Sequence, residues 1–172
     1  MGEELKLLFS KKEIAQTVAR LAREISADYA NKRLVLVGVL KGAFVFLADL
    51  VRQLTIPVEI DFVRIASYGS EKESSGEIKV TKEVEISLKG RDVLIVEDIV
   101  DTGLSLRFLV DHIYARSPSS LKVCALLDKK PRREVEVQVD YIGFEIEEGF
   151  IVGYGLDFDE RYRYLPEISV VS

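Results

Sequence analysis

Apolar residues along this chain fall into two alternating patterns, continuous short runs and longer stretches with helical spacing. In the stretch at residues 10–25, SKKEIAQTVARLAREI, Ser10 and Glu13 have the spacing of a capping box. Four apolar side chains of this stretch share one helical face: Ile14, Val18, Leu21 and Ile25. The pattern predicts a helix that begins directly after Ser10.

The remaining apolar segments alternate between strand-like and helix-like patterns. Four runs have the length of buried strands: 34–39, 57–66, 92–98 and 120–128. Two stretches return to helical spacing: 43–54 and 106–117. Strands that are separated by helices of about a dozen residues imply right-handed crossovers. We therefore predict an α/β fold in which helices cover both faces of a mostly parallel central sheet.

The polar segment at residues 67–85, SYGSEKESSGEIKVTKEVE, does not fit this pattern. It is rich in Ser, Gly, Lys and Glu, and it is long for a connection within one domain, where about 4 to 6 residues is typical. It is either a disordered excursion or an active-site lid with a two-stranded flap at residues 78–88. We favour the lid.

Composition limits the class of protein. A chain of 172 residues, 48% of them apolar, is typical of one domain that spans residues 1–172. Its net charge of −5 argues against nucleic acid as the main partner, and no apolar run approaches the roughly 20 residues that span a membrane. We expect a cytoplasmic protein in which the single cysteine, Cys124, is a buried apolar residue without redox chemistry.

Acidic residues follow the third predicted strand in the stretch VLIVEDIVDTGLSL, residues 93–106. Ligands of parallel sheets bind beyond the carboxyl ends of strands, which is where Glu97, Asp98 and Asp101 are expected. If a helix begins near Thr102, its first amides and Gly103 form a cradle for a phosphate group. The two leading acids then lie where they can bind ribose hydroxyls or Mg²⁺.

Other interpretations of this stretch are weaker. A single acid would suffice to cap the helix, so capping alone leaves two acids unexplained. The chain has no P-loop motif, GYGLDF at 153–158 lacks the third glycine of a dinucleotide site, and the acids of DIVDTG have the wrong spacing for a calcium loop. A phosphate and ribose site remains the best interpretation.

The stretch at residues 93–106 resembles the phosphoribosyl-diphosphate signature of type I phosphoribosyltransferases, and its EDxxDTG form resembles the hypoxanthine-guanine phosphoribosyltransferases. Four further segments resemble other site segments of that family in the same order: LKGA at 40–43, SYG at 67–69, LLDKKPRR at 126–133 and FIVGYGLDFDERYR at 150–163. The resemblance implies a small C-terminal hood with the purine pocket at residues 129–172, and a lid at residues 67–85. It also implies Mg-dependent transfer of 5-phosphoribosyl from its 1-diphosphate to hypoxanthine or guanine.

The resemblance assigns roles to the residues of the phosphate stretch. The 5-phosphate and ribose would be held by residues at the end of the strand and the start of the helix: Glu97, Asp98, Asp101, Thr102, Gly103, Leu104 and Ser105. Asp101 matches the general acid/base that manages the proton of the purine. Some relatives have a lysine where this chain has Leu104, so that side chain contributes no charge here.

Two further groups of residues are implied for the leaving group and the base. Pyrophosphate would be held by Lys41, Gly42, Ser67, Tyr68 and Arg163, and the Leu40–Lys41 peptide is commonly cis in the family. The purine would be bound by Lys129 at its 6-oxo group and by Phe150, Ile151 and Asp157. Metal ligands would be Glu97, Asp98 and Asp157. The residues alone leave open that Lys129 is a surface lysine and Phe150 a core residue.

The resemblance further implies a homodimer or homotetramer and no nucleic-acid partner. A nucleotide-sensing regulator that binds nucleic acid is an alternative from another class, but the chain has neither a spare segment nor a basic excess. A xanthine-preferring transferase is a second alternative, which the segment 149–157 leaves open. His112, the only histidine, lies away from every motif and is expected to be a surface or partly buried residue.

Overall fold

Nine strands and three α-helices occur in the part of the chain that the computed structural model describes, residues 2–68 and 77–172, with only the backbone of Tyr68 included. The strands are β1 Leu5–Phe9, β2 Leu34–Leu40, β3 Val58–Tyr68, β4 Glu77–Lys82, β5 Asp92–Val100, β6 Ser120–Lys129, β7 Tyr141–Ile146, β8 Phe150–Val152 and β9 Ile168–Val171. The helices are α1 Lys11–Asp28, α2 Phe44–Gln53 and α3 Leu104–Tyr114, with a short 3-10 turn at Lys130–Arg132.

The central sheet has six strands in the order β4-β3-β2-β5-β6-β7. All neighbours pair in parallel except β4, which runs antiparallel to β3 at one edge. The strands β2, β5 and β6 lie in the middle, so their carboxyl ends meet at one edge of the sheet. The predicted α/β class with a mostly parallel sheet is confirmed.

Helices cover both faces of this sheet, as predicted. On one face α1 and α2 pack against side chains such as Leu36 and Leu94. On the other face α3 packs against Val35 and Val37. The predicted start of α1 is confirmed because the Ser10 hydroxyl accepts a hydrogen bond from the Glu13 amide (3.2 Å). Within the described residues, every helix is too short or too polar to cross a membrane.

A second sheet of three strands, in the order β1-β9-β8, brings the two ends of the chain together. Both β1 and β8 pair antiparallel with β9. None of these strands was predicted, and the expected hood at residues 129–172 therefore also includes an N-terminal strand, while β7 belongs to the central sheet. The runs LKLLF, FIV and ISVV are too short to show a period, and their partners are distant in sequence.

The predicted two-stranded flap at residues 78–88 is wrong in its pairing. The strand β4 pairs with the end of β3, from Arg64 to Tyr68, and the residues after Lys82 are irregular. That irregular stretch is held by the buried carboxylate of Asp61, which accepts hydrogen bonds from the amides of Glu85 and Ile86 (both 2.8 Å). A side chain on β3 thus supplies the partners that a second strand would otherwise provide.

Replacing Asp61 by Asn is expected to destabilise the protein by about 1–3 kcal/mol at neutral pH. The carboxylate accepts through both oxygens, from the Phe62 amide on one and from the Glu85 and Ile86 amides on the other, whereas an amide group has only one acceptor atom. Burial alone would raise the pKa of Asp61, but hydrogen bonds from the amides of Ile86, Phe62 and Glu85 outweigh burial and lower it. A lowered folded-state pKa gives stability that is present above the unfolded-state pKa and lost as pH falls through the folded-state pKa.

The free energy of unfolding should therefore differ between wild type and Asp61→Asn at pH 7, and the difference should shrink below about pH 4. Chemical denaturation at several pH values measures both. The exposed Asp111→Asn on α3 is the matched control, with little expected change. Equal stability of Asp61→Asn and wild type at pH 7 would show that Asp61 does not hold this stretch.

Candidate functional site

The carboxyl edge of the central sheet brings six of the predicted site residues to one cavity of about 220 Å³: Asp98, Asp101, Lys129, Phe150, Ile151 and Asp157. Its lining comes from the ends of β5 and β6, from β8 and from the segment after β8: Asp98, Ile99, Asp101, Lys129, Arg132, Gly149, Phe150, Ile151, Leu156 and Asp157. Segments that are up to 59 residues apart in sequence therefore meet here, from Asp98 to Asp157. This is where parallel sheets bind ligands.

Glu97 and Asp98 lie side by side near the end of β5. Burial raises the pKa of both carboxyl groups, and for Glu97 the neighbouring charge of Asp98 raises it further. One oxygen of Asp98 accepts a hydrogen bond from the Ile99 amide (2.7 Å). Two adjacent carboxylates with raised pKa values favour a cation or hydroxyl donors as ligands, as predicted for ribose and Mg²⁺.

The loop at residues 101–103 joins β5 to α3, which begins at Leu104 rather than near the predicted Thr102. Gly103 is the N-cap residue and has a left-handed backbone (φ 85°), a conformation that favours glycine. The first amides of α3 have no partner within the helix. The Leu104 amide donates to the Thr102 hydroxyl (3.3 Å). The other first amides and the hydroxyls of Thr102 and Ser105 are the groups that the predicted phosphate cradle would use, and that role stays a prediction.

Asp101 lies on the wall of the cavity with its two carboxylate oxygens in different environments. Oδ2 accepts a hydrogen bond from Arg132 Nη1 (3.2 Å). Oδ1 is buried and has no hydrogen-bond partner among the described residues. Buried carboxylate oxygens are usually paired, and Asp101 itself lines the cavity, so Oδ1 is a candidate acceptor for a ligand.

Lys129 is buried at the end of β6, and its Nζ donates to the carbonyl oxygen of Gly149 (2.9 Å). The surface-lysine interpretation is therefore wrong. Its neighbour Lys130 has a side chain that is 60% exposed and pairs with Glu145. An ammonium group has three donors, so Lys129 keeps two for a ligand in the cavity.

Phe150 and Ile151 begin β8 and line the same cavity. Phe150 is 53% exposed and packs edge-on against Phe158, with ring centroids 5.1 Å apart, so the alternative that it is a core residue is wrong. Its ring is available for stacking on a planar ligand. Ile151 is buried, and Asp157 lies on the wall of the cavity, where its Oδ2 accepts from the Glu160 amide (2.8 Å).

The loop after β2 carries the predicted pyrophosphate residues, and its Leu40–Lys41 peptide is cis, as in the family it resembles. A Cβ atom on Gly42 would lie 1.8 Å from Asp98 Oδ2, and one on Gly155 would lie 2.3 Å from the Gly42 carbonyl oxygen. Gly155, which meets backbone and has a φ of 99°, therefore requires glycine, whereas a side chain at Gly42 would displace the Asp98 carboxylate. The loop is thus in contact with the acidic pair on one side and with the segment after β8 on the other.

Glu160 links the two cations that were predicted to bind pyrophosphate. Its carboxylate accepts from Lys41 Nζ and from Arg163 Nη2 (both 3.1 Å). Hydrogen bonds from Arg163 and Lys41 lower the pKa of Glu160. Arg163 also donates to the Gly155 carbonyl (2.7 Å), while its Nε is buried without a partner among the described residues. Glu160 was not predicted as a site residue, because its contact with Lys41 joins two segments that are 119 residues apart in sequence.

The predicted lid, residues 67–85, is described in part, and its residues 69–76 lie outside the described part of the chain. Ser67 is near the end of β3 and pairs with Ile78 across the antiparallel ladder. Tyr68 pairs with Glu77 through its backbone. The roles of Ser67 and Tyr68 toward pyrophosphate remain predictions.

The two residues with no assigned role have the expected surroundings. Cys124 is buried and free, and burial raises the pKa of its thiol well above the usual range. His112 is on α3, where Nε2 lies 2.9 Å from Glu83 Oε2. His112 therefore pairs with the stretch after β4 rather than with the cavity.

An α/β sheet whose carboxyl edge carries an acidic pair, an anion cradle and two cations suited to pyrophosphate defines an enzyme that handles a phosphorylated sugar. Comparison with known proteins agrees. A family model described as "Phosphoribosyl transferase domain" matches residues 5–159. The chain belongs to the phosphoribosyltransferase family.

Two relatives and one solved structure are similar to this chain along nearly their whole length. A hypoxanthine-guanine phosphoribosyltransferase of Aquifex aeolicus is 45% identical over 172 residues, covering 99% of this chain and 97% of the relative. A hypoxanthine-guanine phosphoribosyltransferase of Dictyostelium discoideum is 50% identical over 167 residues, covering 95% of this chain and 93% of the relative. The crystal structure of a hypoxanthine-guanine phosphoribosyltransferase from Bacillus anthracis is 44% identical and has a TM-score of 0.94, with 98% and 100% covered.

Proposed function

We propose that this chain transfers the 5-phosphoribosyl group of 5-phosphoribosyl 1-diphosphate to hypoxanthine and guanine in purine salvage. The observation that supports it most is the unpaired, buried oxygen of Asp101, which shares a cavity with the buried ammonium of Lys129. Asp101 can accept the proton of a purine nitrogen, and Lys129 can donate to the 6-oxo group. One cavity therefore carries a partner for each of these two groups of a 6-oxopurine. The relatives that cover the whole chain carry the same activity in their names.

The reaction forms a bond between a purine nitrogen and the anomeric carbon, breaks the bond from that carbon to pyrophosphate, and releases the proton of the purine nitrogen. Asp101 Oδ1 is the proposed acceptor of that proton. The developing positive charge on the ribose is stabilised by the carboxylates of Glu97 and Asp98, while Lys41 and Arg163 neutralise the departing pyrophosphate. The first amides of α3 hold the 5-phosphate throughout.

Selection between purines follows from the donors of Lys129. Its ammonium offers only donors, so it binds the 6-oxo group of hypoxanthine or guanine and rejects the 6-amino group of adenine. Phe150 stacks on the base, and Ile151 and Asp157 meet the edge near its 2-position. The choice between hypoxanthine, guanine and xanthine depends on that edge.

Mg²⁺ fits the charge of this site. Mg²⁺ is commonly bound by one or two carboxylates together with substrate phosphates. Glu97 and Asp98 would hold Mg²⁺ beside the ribose, and Asp157 would hold Mg²⁺ beside pyrophosphate. Among the described residues no group of three or more His, Cys, Asp or Glu side chains forms a metal cage, so substrate oxygens would complete the coordination. When bound, the ion neutralises the charge that develops on the departing pyrophosphate.

The alternative from another class is a nucleotide-sensing regulator that binds nucleic acid. A net charge of −5 gives no general attraction for phosphate backbones, and the cavity with Asp101 and Lys129 has no use in a sensor that performs no chemistry. A gel shift with RNA and DNA tests the alternative. Cytoplasmic location and a homodimer or homotetramer also remain part of the proposal.

Alanine at Glu97 or Asp98 is expected to impair the use of phosphoribosyl diphosphate and to leave the order of purine preference unchanged. The reason is that both carboxylates are proposed to bind the ribose rather than the base, and Asp98 lies next to Gly42 of the proposed pyrophosphate loop. Steady-state kinetics with each purine at varied phosphoribosyl diphosphate measures this. A variant with altered purine preference but a normal KM for phosphoribosyl diphosphate would contradict the assignment.

Replacing Glu160 by Gln is expected to lower the KM for phosphoribosyl diphosphate by about two- to fivefold, because Lys41 and Arg163 no longer have to leave a carboxylate to bind pyrophosphate. The effect is modest since the pairs are exposed. Glu145→Gln, which removes the comparable contact to Lys130, is the control and should leave KM unchanged. A raised KM in Glu160→Gln would mean that Glu160 orders the two cations instead of competing for them.

A further inference from the structure

A buried ion pair lies directly behind the cavity, between two residues that have no role in the proposed reaction. Asp128, next to Lys129 on β6, has a side chain that is only 1% exposed. It pairs with the guanidinium of Arg133, which follows the 3-10 turn. A carboxylate buried to this degree requires cationic partners: Arg133 donates a hydrogen bond to one of its oxygens, and Lys130 Nζ lies 3.9 Å from the other. The hydrogen-bonded pair holds Arg133 in place.

The same guanidinium makes a second hydrogen bond. Arg133 Nε donates to the backbone carbonyl oxygen of Asp101 (3.0 Å), while another edge of the group faces Asp128. A planar guanidinium holds both partners in a fixed mutual geometry, which an ammonium group does not. Arg133 thus joins the end of the strand that carries Lys129 to the residue proposed to accept the purine proton.

Backbone contacts extend this connection along the loop. The amides of Glu134 and Val135 both donate to the Thr102 carbonyl oxygen, at 2.8 Å and 3.4 Å. A Cβ atom on Gly103 would lie 3.0 Å from Arg133 Cδ and 3.1 Å from the Val135 carbonyl oxygen. The loop at residues 101–103 therefore packs directly on residues 133–135, and its position depends on theirs.

We infer that Arg133, held by the buried carboxylate of Asp128, is a positioning residue that fixes Asp101 and the phosphate loop against the purine pocket; the inference rests on the proposed function. Arg133 touches neither reacting atom. The charge of Arg133 is compensated by Asp128. Arg133 therefore orders the Asp101 backbone without placing an unpaired cation beside the Asp101 carboxylate. The purine pocket and the phosphate loop are thereby held at a fixed distance from each other. Transfer of the phosphoribosyl group to the purine requires such a fixed geometry.

A double-mutant cycle on the turnover number tests the inference. Arg133→Gln alone is expected to lower turnover by about 10- to 100-fold, because displacement of a catalytic group by about 1 Å has effects of that size. In an Asp101→Asn background the same change should lower turnover by a factor at least about threefold smaller, since the catalytic carboxylate is gone and only the position of the phosphate loop still depends on Arg133. Asp128→Asn should behave like Arg133→Gln, and the two together should be no slower than either alone.

The outcomes separate this inference from the proposed function. Equal fold losses from Arg133→Gln with and without Asp101 would overturn it and indicate general structural damage, and so would normal turnover of Arg133→Gln. If Asp101→Asn itself turned over normally, the proposed role of Asp101 would fail, and the positioning role with it. Should Arg133→Gln fail to fold, Arg133→Lys keeps the charge beside Asp128 and the cycle is run with it. Arg107→Gln, an exposed arginine on α3 paired with Asp111, is the control with unchanged turnover.

Discussion

Asp101→Asn is expected to lower the turnover number by about 10²- to 10⁴-fold, the contribution that general acid/base catalysis usually makes. The amide cannot take the purine proton, yet it has the same shape and can still accept from Arg132 Nη1. The fold and the binding of phosphoribosyl diphosphate should therefore be retained. Steady-state turnover, a melting temperature and calorimetric titration with phosphoribosyl diphosphate measure the three properties.

The matched control for this change is Asp111→Asn on α3, whose carboxylate is exposed and forms an ion pair with Arg107. It should turn over like wild type. Near-wild-type turnover of Asp101→Asn would reject Asp101 as the proton acceptor. Loss of folding together with turnover would instead assign Asp101 a structural role at the start of α3.

Lys129→Gln is expected to weaken discrimination against adenine and to lower kcat/KM for hypoxanthine by about 10- to 10³-fold. A glutamine amide can donate to an oxo group or accept from an amino group, whereas the ammonium can only donate. The loss for hypoxanthine also reflects the burial of Lys129, since its contact with the Gly149 carbonyl orders the cavity wall. Competition kinetics with hypoxanthine and adenine gives the discrimination directly.

Lys130→Gln is the control for this substitution, because its side chain is exposed and pairs with Glu145 outside the cavity. It should leave both purine preference and kcat/KM unchanged. If Lys130→Gln relaxed the preference and Lys129→Gln did not, the purine pocket would have been assigned one residue out of register.

Four strands of the central sheet, β2, β3, β5 and β6, and the helices could be predicted from the sequence because their signals are local, whereas β7 was not predicted. Ser10 with Glu13 marks the start of α1, and the continuous run at residues 34–39 has the length and composition of a strand buried on both faces. The strands at the two termini could not be predicted, since β1 and β9 are short and gain their hydrogen bonds from each other across the whole chain. The stretch after β4 was assigned to a flap for a similar reason: its partner, Asp61, is a buried side chain on β3.

Residues of the site that belong to motifs were predicted, and those defined by contacts alone were not. Asp101 and Lys129 are identified by their segments and line the same cavity. Glu160 and Arg133 lie inside the segments 150–163 and 126–133 but received no role there, because their importance arises from partners brought together by folding, such as Lys41 and Asp128. The basic run DKKPRR has the composition of an exposed surface segment, and the sequence does not show that Arg133 pairs with a buried Asp128.

Initial rates with phosphoribosyl diphosphate, Mg²⁺ and each of hypoxanthine, guanine, xanthine and adenine test the central proposal most directly. We expect release of pyrophosphate and formation of the corresponding nucleotide with hypoxanthine or guanine, at a kcat/KM at least about 10²-fold above that for adenine. Absence of turnover with both hypoxanthine and guanine, or adenine as the preferred base, would contradict the roles proposed for Asp101 and Lys129.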